Sequence, residues 1–312
     1  IKGERDTLQA ERADIEGVLA SPARLRALMQ QELTEDAERH GDARRSPMAL
    51  APEAEPFTEE DLLGSDPITV VLSDKGWIRA GKGHELDPAE LAYRSGDRFA
   101  SAARGRSNET LVFLDSTGRS YTLPAHTLPS ARGQGEPLTG RLKPPAGARF
   151  VGLVLATADR RVVLASSSGY GFVSGVGELV SKNRSGKACL SVGDEGQALP
   201  PALVPADSDV LVVVLTSQGR LLAFPLSELP ELARGKGNKL INIPAAALRS
   251  GEETVVGVVC MGAADEVLVQ AGQRHLRLRQ RDLDNYRGER GRRGALLPRG
   301  FQKVDSLSLA SR

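Results

Sequence analysis

The chain has 312 residues, 40% of them hydrophobic and 26% charged, with 33 glycines, 4% aromatics and a formal net charge of +1. That length has room for more than one domain and a large core, and the composition is that of a globular protein with an interior of Val, Leu, Ile and Ala. No apolar run approaches the ~20 residues of a membrane-spanning helix, and two cysteines, Cys189 and Cys260, are too few for a disulfide framework.

The charge is unevenly divided. Residues 1–66 hold 8 Lys+Arg against 16 Asp+Glu, a net of −8; residues 67–312 hold 33 against 24, a net of +9. The second segment suits a polyanion and the first repels one. Each cysteine reads as a core filler, and a cytosolic setting is the default. The opening Ile1-Lys2-Gly3, without methionine, reads as a fragment and leaves open a signal peptide removed upstream.

In chain order, residues 1–45 predict two helices. Ile1, Leu8 and Ile15 recur every seven residues, with Val18 and Leu19 on the same stripe. Ser21-Pro22 then reads as an N-cap followed by proline at the first helical position. Leu25, Leu28 and Leu33 continue a second apolar face, and Gly41 stands at a C-cap position. Arg44-Arg45 reads either as a contact to DNA or a neighbouring domain, or as a solvated helix end. Residues 46–66, with Pro47, Pro52 and Pro56 among Glu and Ala, predict a linker.

From residue 67 the pattern becomes short β-branched runs, each broken by a glycine turn and followed by a return strand: T-V-V-L-S-D-K-G-W-I-R, L-V-F-L-D-S-T-G-R-S-Y, R-V-V-L-A-S-S-S-G-Y-G-F, V-L-V-V-V-L-T-S-Q-G-R-L-L-A-F and V-L-V-Q-A-G-Q-R-H-L-R-L. These are hairpin signals. The turn glycines Gly76, Gly118, Gly169, Gly219 and Gly272 are 42, 51, 50 and 53 residues apart, an internal repeat of propeller-blade size. Leu86, Leu128, Leu179 and Leu229 follow their turn glycine by ten residues and Leu283 by eleven. After that leucine comes an arginine with a glycine within two residues: Arg94-Ser-Gly96, Arg132-Gly133, Arg184-Ser-Gly186, Arg234-Gly235 and Arg287-Gly288.

Taken singly, such a loop reads first as a solvated turn. Five in one register place equivalent loops on one rim of a ring, which makes a curved positive track. Duplex DNA carries a charge every ~1.7 Å of axis, so a line of cations along it gains from counterion release. Arginine grips phosphate bidentately, and glycine lets backbone N–H groups approach the same oxygens. Neither contact reads a base. Trp77, Tyr121, Tyr170 and Phe172 lie in or beside the hairpins rather than in the basic loops, which disfavours single-strand binding by stacking. His40, His84, His126 and His275 lack metal-ligand spacing, and Gly81-Lys82-Gly83 and Gly235-Lys236-Gly237 complete no nucleotide-binding loop.

Several of these stretches, in this order, resemble the A subunit of bacterial DNA topoisomerase IV: G-D-A-R-R-S-P, V-V-L-S-D-K-G-W-I-R, D-S-T-G-R-S-Y, L-P-S-A-R-G-Q-G-E-P-L-T-G, K-G-N-K-L-I-N-I-P and G-E-R-G-R-R-G. The resemblance runs nearly end to end. It implies a mainly β fold, a five-repeat β-pinwheel over 67–312 whose blades exchange strands, after the end of a helical coiled-coil region. It implies a cytoplasmic, nucleoid-associated type IIA topoisomerase of two A and two B subunits, which uses ATP and magnesium bound outside this chain. None of Tyr93, Tyr121, Tyr170 or Tyr286 matches the family's nucleophile motif, so no catalytic residue is assigned. The related gyrase A subunit carries a glutamine-arginine-arginine-glycine-glycine box in its first blade. Here that region reads A-Y-R-S-G-D-R, and a partial match, Gly291-Arg292-Arg293-Gly294, falls in the fifth repeat. This favours decatenation and relaxation over supercoiling.

The expected DNA-binding residues are Arg132, Lys182, Arg184, Lys187, Arg234, Lys236, Lys239, Arg290, Arg292 and Arg293, with Arg104 and Arg106 from the inter-blade segment. The rival reading is a protein-interaction propeller with no nucleic-acid role.

Overall fold

The structure, a computed structural model, describes residues 2–42, 64–157, 159–193 and 196–310. Arg44, Arg45 and residues 46–63 of the expected linker lie outside the described residues. The chain divides into two compact units, Ile1–Pro56 and Phe57–Arg312.

The first unit contains α1 (Lys2–Leu19) and α2 (Pro22–His40). Between them Ser21 is extended, and its Oγ accepts from the Arg24 N–H, satisfying one of the donors left free in the first turn. Neither helix buries a residue: Leu8, Ile15, Leu19, Leu25, Leu28 and Leu33 of the predicted stripes are all exposed.

Among the described residues the regular structure of the second unit is strand, apart from short helical turns and a five-residue helix, α3 (Ala245–Arg249). In chain order the strands are β1 (Pro67–Ser73), β2 (Trp77–Lys82), β3 (Phe99–Arg106), β4 (Thr110–Asp115), β5 (Arg119–Pro124), β6 (Glu136–Pro137), β7 (Phe150–Ala156), β8 (Arg161–Ala165), β9 (Tyr170–Gly175) and β10 (Lys187–Ala188). They continue as β11 (Ala202–Leu203), β12 (Leu211–Thr216), β13 (Arg220–Pro225), β14 (Asn238–Lys239), β15 (Val255–Met261), β16 (Glu266–Ala271), β17 (Arg274–Arg279), β18 (Ala295–Leu296) and β19 (Ser306–Leu309).

Five antiparallel sheets result, ordered β3-β1-β2-β6, β10-β5-β4-β7, β11-β8-β9-β14, β15-β12-β13-β18 and β17-β16-β19. Each is built on one of the predicted hairpins. The turns close through Gly76, Gly118, Gly169 and Gly219 N–H bonds to Ser73, Asp115, Ser166 and Thr216 carbonyls, with all four glycines at positive φ. In three turns the first residue's side chain also accepts from the backbone: Ser73 from Trp77, Asp115 from Thr117 and Arg119, Thr216 from Arg220.

The fourth strand of a sheet comes from the next repeat. The chain leaves the second hairpin and lays β6 on β2 of the first; likewise β10 pairs β5, β14 pairs β9 and β18 pairs β13. The expected strand-exchanging pinwheel of five blades is therefore the observed fold. The exception is the first repeat. Its segment after β2 donates no strand and turns back onto its own blade: Asp97 Oδ1 accepts from Lys75 N and Arg98 N, and Arg98 O from Asp74 N. The fifth sheet accordingly has three strands among the described residues.

Blades stack face to face, so the first strand of a hairpin is buried on both sides and reads as an unbroken apolar run. On β4, Leu111 and Phe113 join the core shared with blade one, while Val112 and Leu114 join that shared with blade three. On β12, Val212 and Val214 face blade three and Leu211, Val213 and Leu215 face blade five. Four such cores join successive blades; among the described residues none joins blade five to blade one. At one end of the sheets β3 touches β7, β11 touches β15 and β15 touches β19. The blades converge there, which leaves the donated strands on the outer edge.

Candidate nucleic-acid interface

The basic loops are the crossings that deliver the donated strands. Each ends in a glycine at positive φ immediately before its strand: Gly135 before β6, Gly186 before β10, Gly237 before β14 and Gly294 before β18. Two constraints coincide there. The backbone is left-handed, and it passes so close to the receiving strand that a side chain would overlap it. A Cβ on Gly186 would lie 2.7 Å from Ser120 O, and one on Gly294 2.8 Å from Leu221 O; at Gly135 and Gly237 it would collide with the carbonyls of Ile78 and Gly171.

A second residue set holds the crossings in place. Arg79, 5% exposed, donates from Nη1 to Gly133 O and from Nη2 to Ala92 O. Arg119 donates from Nε to Ser185 O and from Nη2 to Gly186 O, and Arg220 from Nη1 to Gly294 O. Arg119 and Arg220 directly follow their turn glycines; Tyr170 takes that place in the third blade, its ring 4.0 Å below Lys236 Nζ. Sequence reasoning missed these anchors, although T-G-R and Q-G-R display the regularity.

Neighbouring crossings are joined by main-chain bonds. Lys143 N donates to Arg184 O, Gly235 N to Cys189 O and Ser191 N to Gly235 O, Gly291 N to Leu240 O and Asn242 N to Arg292 O. The loops thus form one continuous belt on the outer edge of blades one to four. Before it, Arg94 lies over the Trp77 ring at 3.6 Å and donates to Gln134 Oε1, adding the first repeat's arginine to blade one.

The expected cations divide three ways. Arg132, Lys182, Arg184 and Arg234 are exposed on the belt, and their side-chain charges meet no partner among the described residues. Lys187, Lys236, Lys239, Arg290 and Arg292 are on the belt with a contact: Lys187 Nζ to Glu178 O, Lys239 Nζ to Asn242 Oδ1, Arg290 Nη1 to Lys239 O, and Arg292 to Glu289 at 2.8 Å. The remaining three depart from expectation. Arg293 points to Glu253, 3% exposed, with Nη2 to Oε2 at 2.5 Å, so its charge is neutralised by a buried carboxylate. Arg104 and Arg106 are not in an inter-blade loop. They lie on β3, at the converging end of the first sheet, separated from β6 by β1 and β2. The run A-A-R-G-R extends as a strand because it pairs with β1 from Pro67 to Ser73.

A strand-exchanged β-pinwheel carrying a stapled belt of basic loops is the architecture defined here. The family described as DNA gyrase C-terminal domain, beta-propeller, matches residues 160–197 and 211–260. The E. coli ParC C-terminal domain superposes with a TM-score of 0.67 at 44% identity, covering 80% of this chain and 100% of that chain. The DNA topoisomerase 4 A subunit of Pseudomonas aeruginosa is 49% identical over 307 residues, 98% of this chain, and its counterpart in E. coli K12 is 43% identical over 311 residues, 100% of this chain. The chain belongs to the family of DNA topoisomerase 4 A subunits, and it spans 41% of the length of these two relatives.

Proposed function

We propose that the belt binds the backbone of duplex DNA without regard to sequence and bends it along the outer edge. The observation that supports this is the main-chain stapling of successive basic loops, which joins the loops that carry the cations into one series. Bending ~20–30 bp costs of order 1–6 kcal/mol, and contacts distributed along the arc offset it.

In this reading the chain is the DNA-holding end of a type IIA topoisomerase that works in the cytoplasm at the nucleoid as two A and two B subunits. Cleavage, strand passage and resealing, with ATP and magnesium, belong to portions of that assembly outside this chain. The first repeat's Tyr93-Arg94-Ser95-Gly96-Asp97 is folded onto its own blade, which supports decatenation and relaxation rather than full wrapping.

Energy transfer between dyes at the ends of a ~40 bp duplex tests the reading. The expected result is a shortened end-to-end distance on binding, equal for unrelated sequences. A straight bound duplex, or strong preference for one sequence, contradicts it. Absence of binding favours the protein-interaction propeller.

A further inference from the structure

We infer that the belt contains one preformed phosphate socket, between blades two and three, into which a single backbone phosphate of the duplex inserts. The inference rests on the reading above and adds a defined site to it. A cavity of about 170 Å³ opens on the belt, lined by Thr122, Gly140, Arg141, Lys182, Asn183 and Arg184 among others. At ~30 Å³ per water it has room for roughly five waters, below the several hundred Å³ of an organic-ligand pocket and suited to a tetrahedral anion.

Three cations line it, one held by side-chain bonds and two without them. Arg141, which sequence reasoning did not single out, is fixed from behind. Its Nη2 donates to Thr127 Oγ1 at 2.7 Å, and its Nη1 to Thr127 O at 3.1 Å and Glu136 Oε1 at 3.2 Å. Glu136 offsets part of its charge, but the guanidinium is oriented before any anion arrives. Lys182 and Arg184 are exposed, and their side chains meet no partner among the described residues.

The loop carrying them is pinned at three points: Ser181 N to Thr122 Oγ1, Lys143 N to Arg184 O, and Arg119 to the Ser185 and Gly186 carbonyls. Between the two cations the Asn183 side-chain amide has no partner among the described residues, while its main chain is engaged with Ser181 and Gly186. It can supply a neutral hydrogen bond to a phosphate oxygen. Two other cavities of the pinwheel set carboxylates beside their cations: one is lined by Arg161 with Asp207, Asp209 and Glu231, and another by Arg220 and Arg293 with Glu252 and Glu253.

A rim cation and a socket differ in how they respond to salt. A rim cation acts through counterion release, which changes the slope of log K against log salt. A hydrogen-bonding socket also changes the affinity extrapolated to 1 M salt, where the release contribution vanishes. The experiment measures binding of a ~40 bp duplex to the 312-residue chain from low to high salt. Wild type is compared with Asn183→Ala, with Asn183→Asp, with the pair Lys182→Gln/Arg184→Gln, and with the rim pair Arg132→Gln/Arg234→Gln.

Asn183→Ala is expected to lower the 1 M affinity about tenfold or more with the slope unchanged, because it removes a hydrogen bond to a charged group and no charge. Asn183→Asp, as compatible with a turn as asparagine, is expected to lower it further and keeps the test open if the alanine variant misfolds. The rim pair is expected to flatten the slope and leave the 1 M value in place. If Asn183→Ala matches wild type, or Asn183→Asp lowers affinity through the slope alone, while the two charge pairs flatten the slope equally, the socket is wrong and the belt stands. If neither charge pair alters the slope, the belt reading itself fails.

Discussion

Replacing Gly237 by alanine tests the strand-crossing geometry. Gly237 has φ +73°, where an L-residue costs about 1–2 kcal/mol. Its added Cβ would overlap the Gly171 carbonyl and come within 2.9 Å of Phe172 Cδ1. The obstacle is the receiving strand's main chain, so it cannot rotate away, and β14 must lift from β9. Behind β14 the Leu240 N–H donates to Gly169 O, and Leu240 and Ile241 are 0% and 1% exposed in the core between blades three and four. Loosening them forfeits part of the ~1.5–3 kcal/mol that each buried side chain of this kind contributes.

The expected total is about 3–4 kcal/mol. At ~2–4 °C per kcal/mol, that is a fall in Tm of roughly 6–16 °C by calorimetry. Gly251→Ala is the control. That glycine has φ +71° with nothing within 4 Å of a Cβ, so only the conformational penalty of about 1–2 kcal/mol applies. If Gly237→Ala costs no more than Gly251→Ala, the close crossing is not a determinant of the fold.

Three further outcomes follow from the same structure. Glu253→Gln removes the charge facing Arg293 and weakens the bond from Thr216 Oγ1, and is expected to cost about 2 kcal/mol at neutral pH, since one partner of the pair is part-exposed. Burial raises the Glu253 pKa, but hydrogen bonds from Arg293 and Thr216 outweigh it and hold it below the usual carboxylate range; a depressed carboxylate stabilises above its unfolded pKa, so wild type should lose its Tm advantage over this variant as pH falls through that depressed pKa. Tyr121→Phe removes the hydroxyl that donates to buried Asp115 Oδ2 at 2.7 Å, an expected loss of about 1–3 kcal/mol readable by urea unfolding. Arg119→Ala removes two bonds to the 184–187 crossing; amide exchange at Gly186 and Ala188 should accelerate with little change in the fifth blade, and uniform acceleration would refute a local anchoring role.

The hairpins were legible because their turns place glycine where φ must be positive and because β4 and β12, buried on both faces, appear as unbroken apolar runs. The strand exchange was implied only by family resemblance. β6, β10, β14 and β18 are two residues long, too short for any periodicity, and their partners are supplied by another repeat. The arginine loops could be read as a set, but not which of their charges are used internally. Arg293 reads like Arg234, yet Glu253, forty residues away, neutralises it. Arg104 and Arg106 look like loop residues because Gly105 separates them, and only pairing with β1 makes them strand. The anchors Arg79, Arg119 and Arg220 look like ordinary strand arginines until the crossing carbonyls stand beside them.

The account rests most directly on the salt dependence of duplex binding with Arg132, Arg184 and Arg234 changed together to glutamine. None has a side-chain partner among the described residues, so stability should stay within about 0.5 kcal/mol of wild type. At about 0.9 per phosphate, the slope of log K against log salt should become shallower by about 2.7. An unchanged slope, or no binding to duplex even at low salt, would contradict the belt and turn attention to a protein partner.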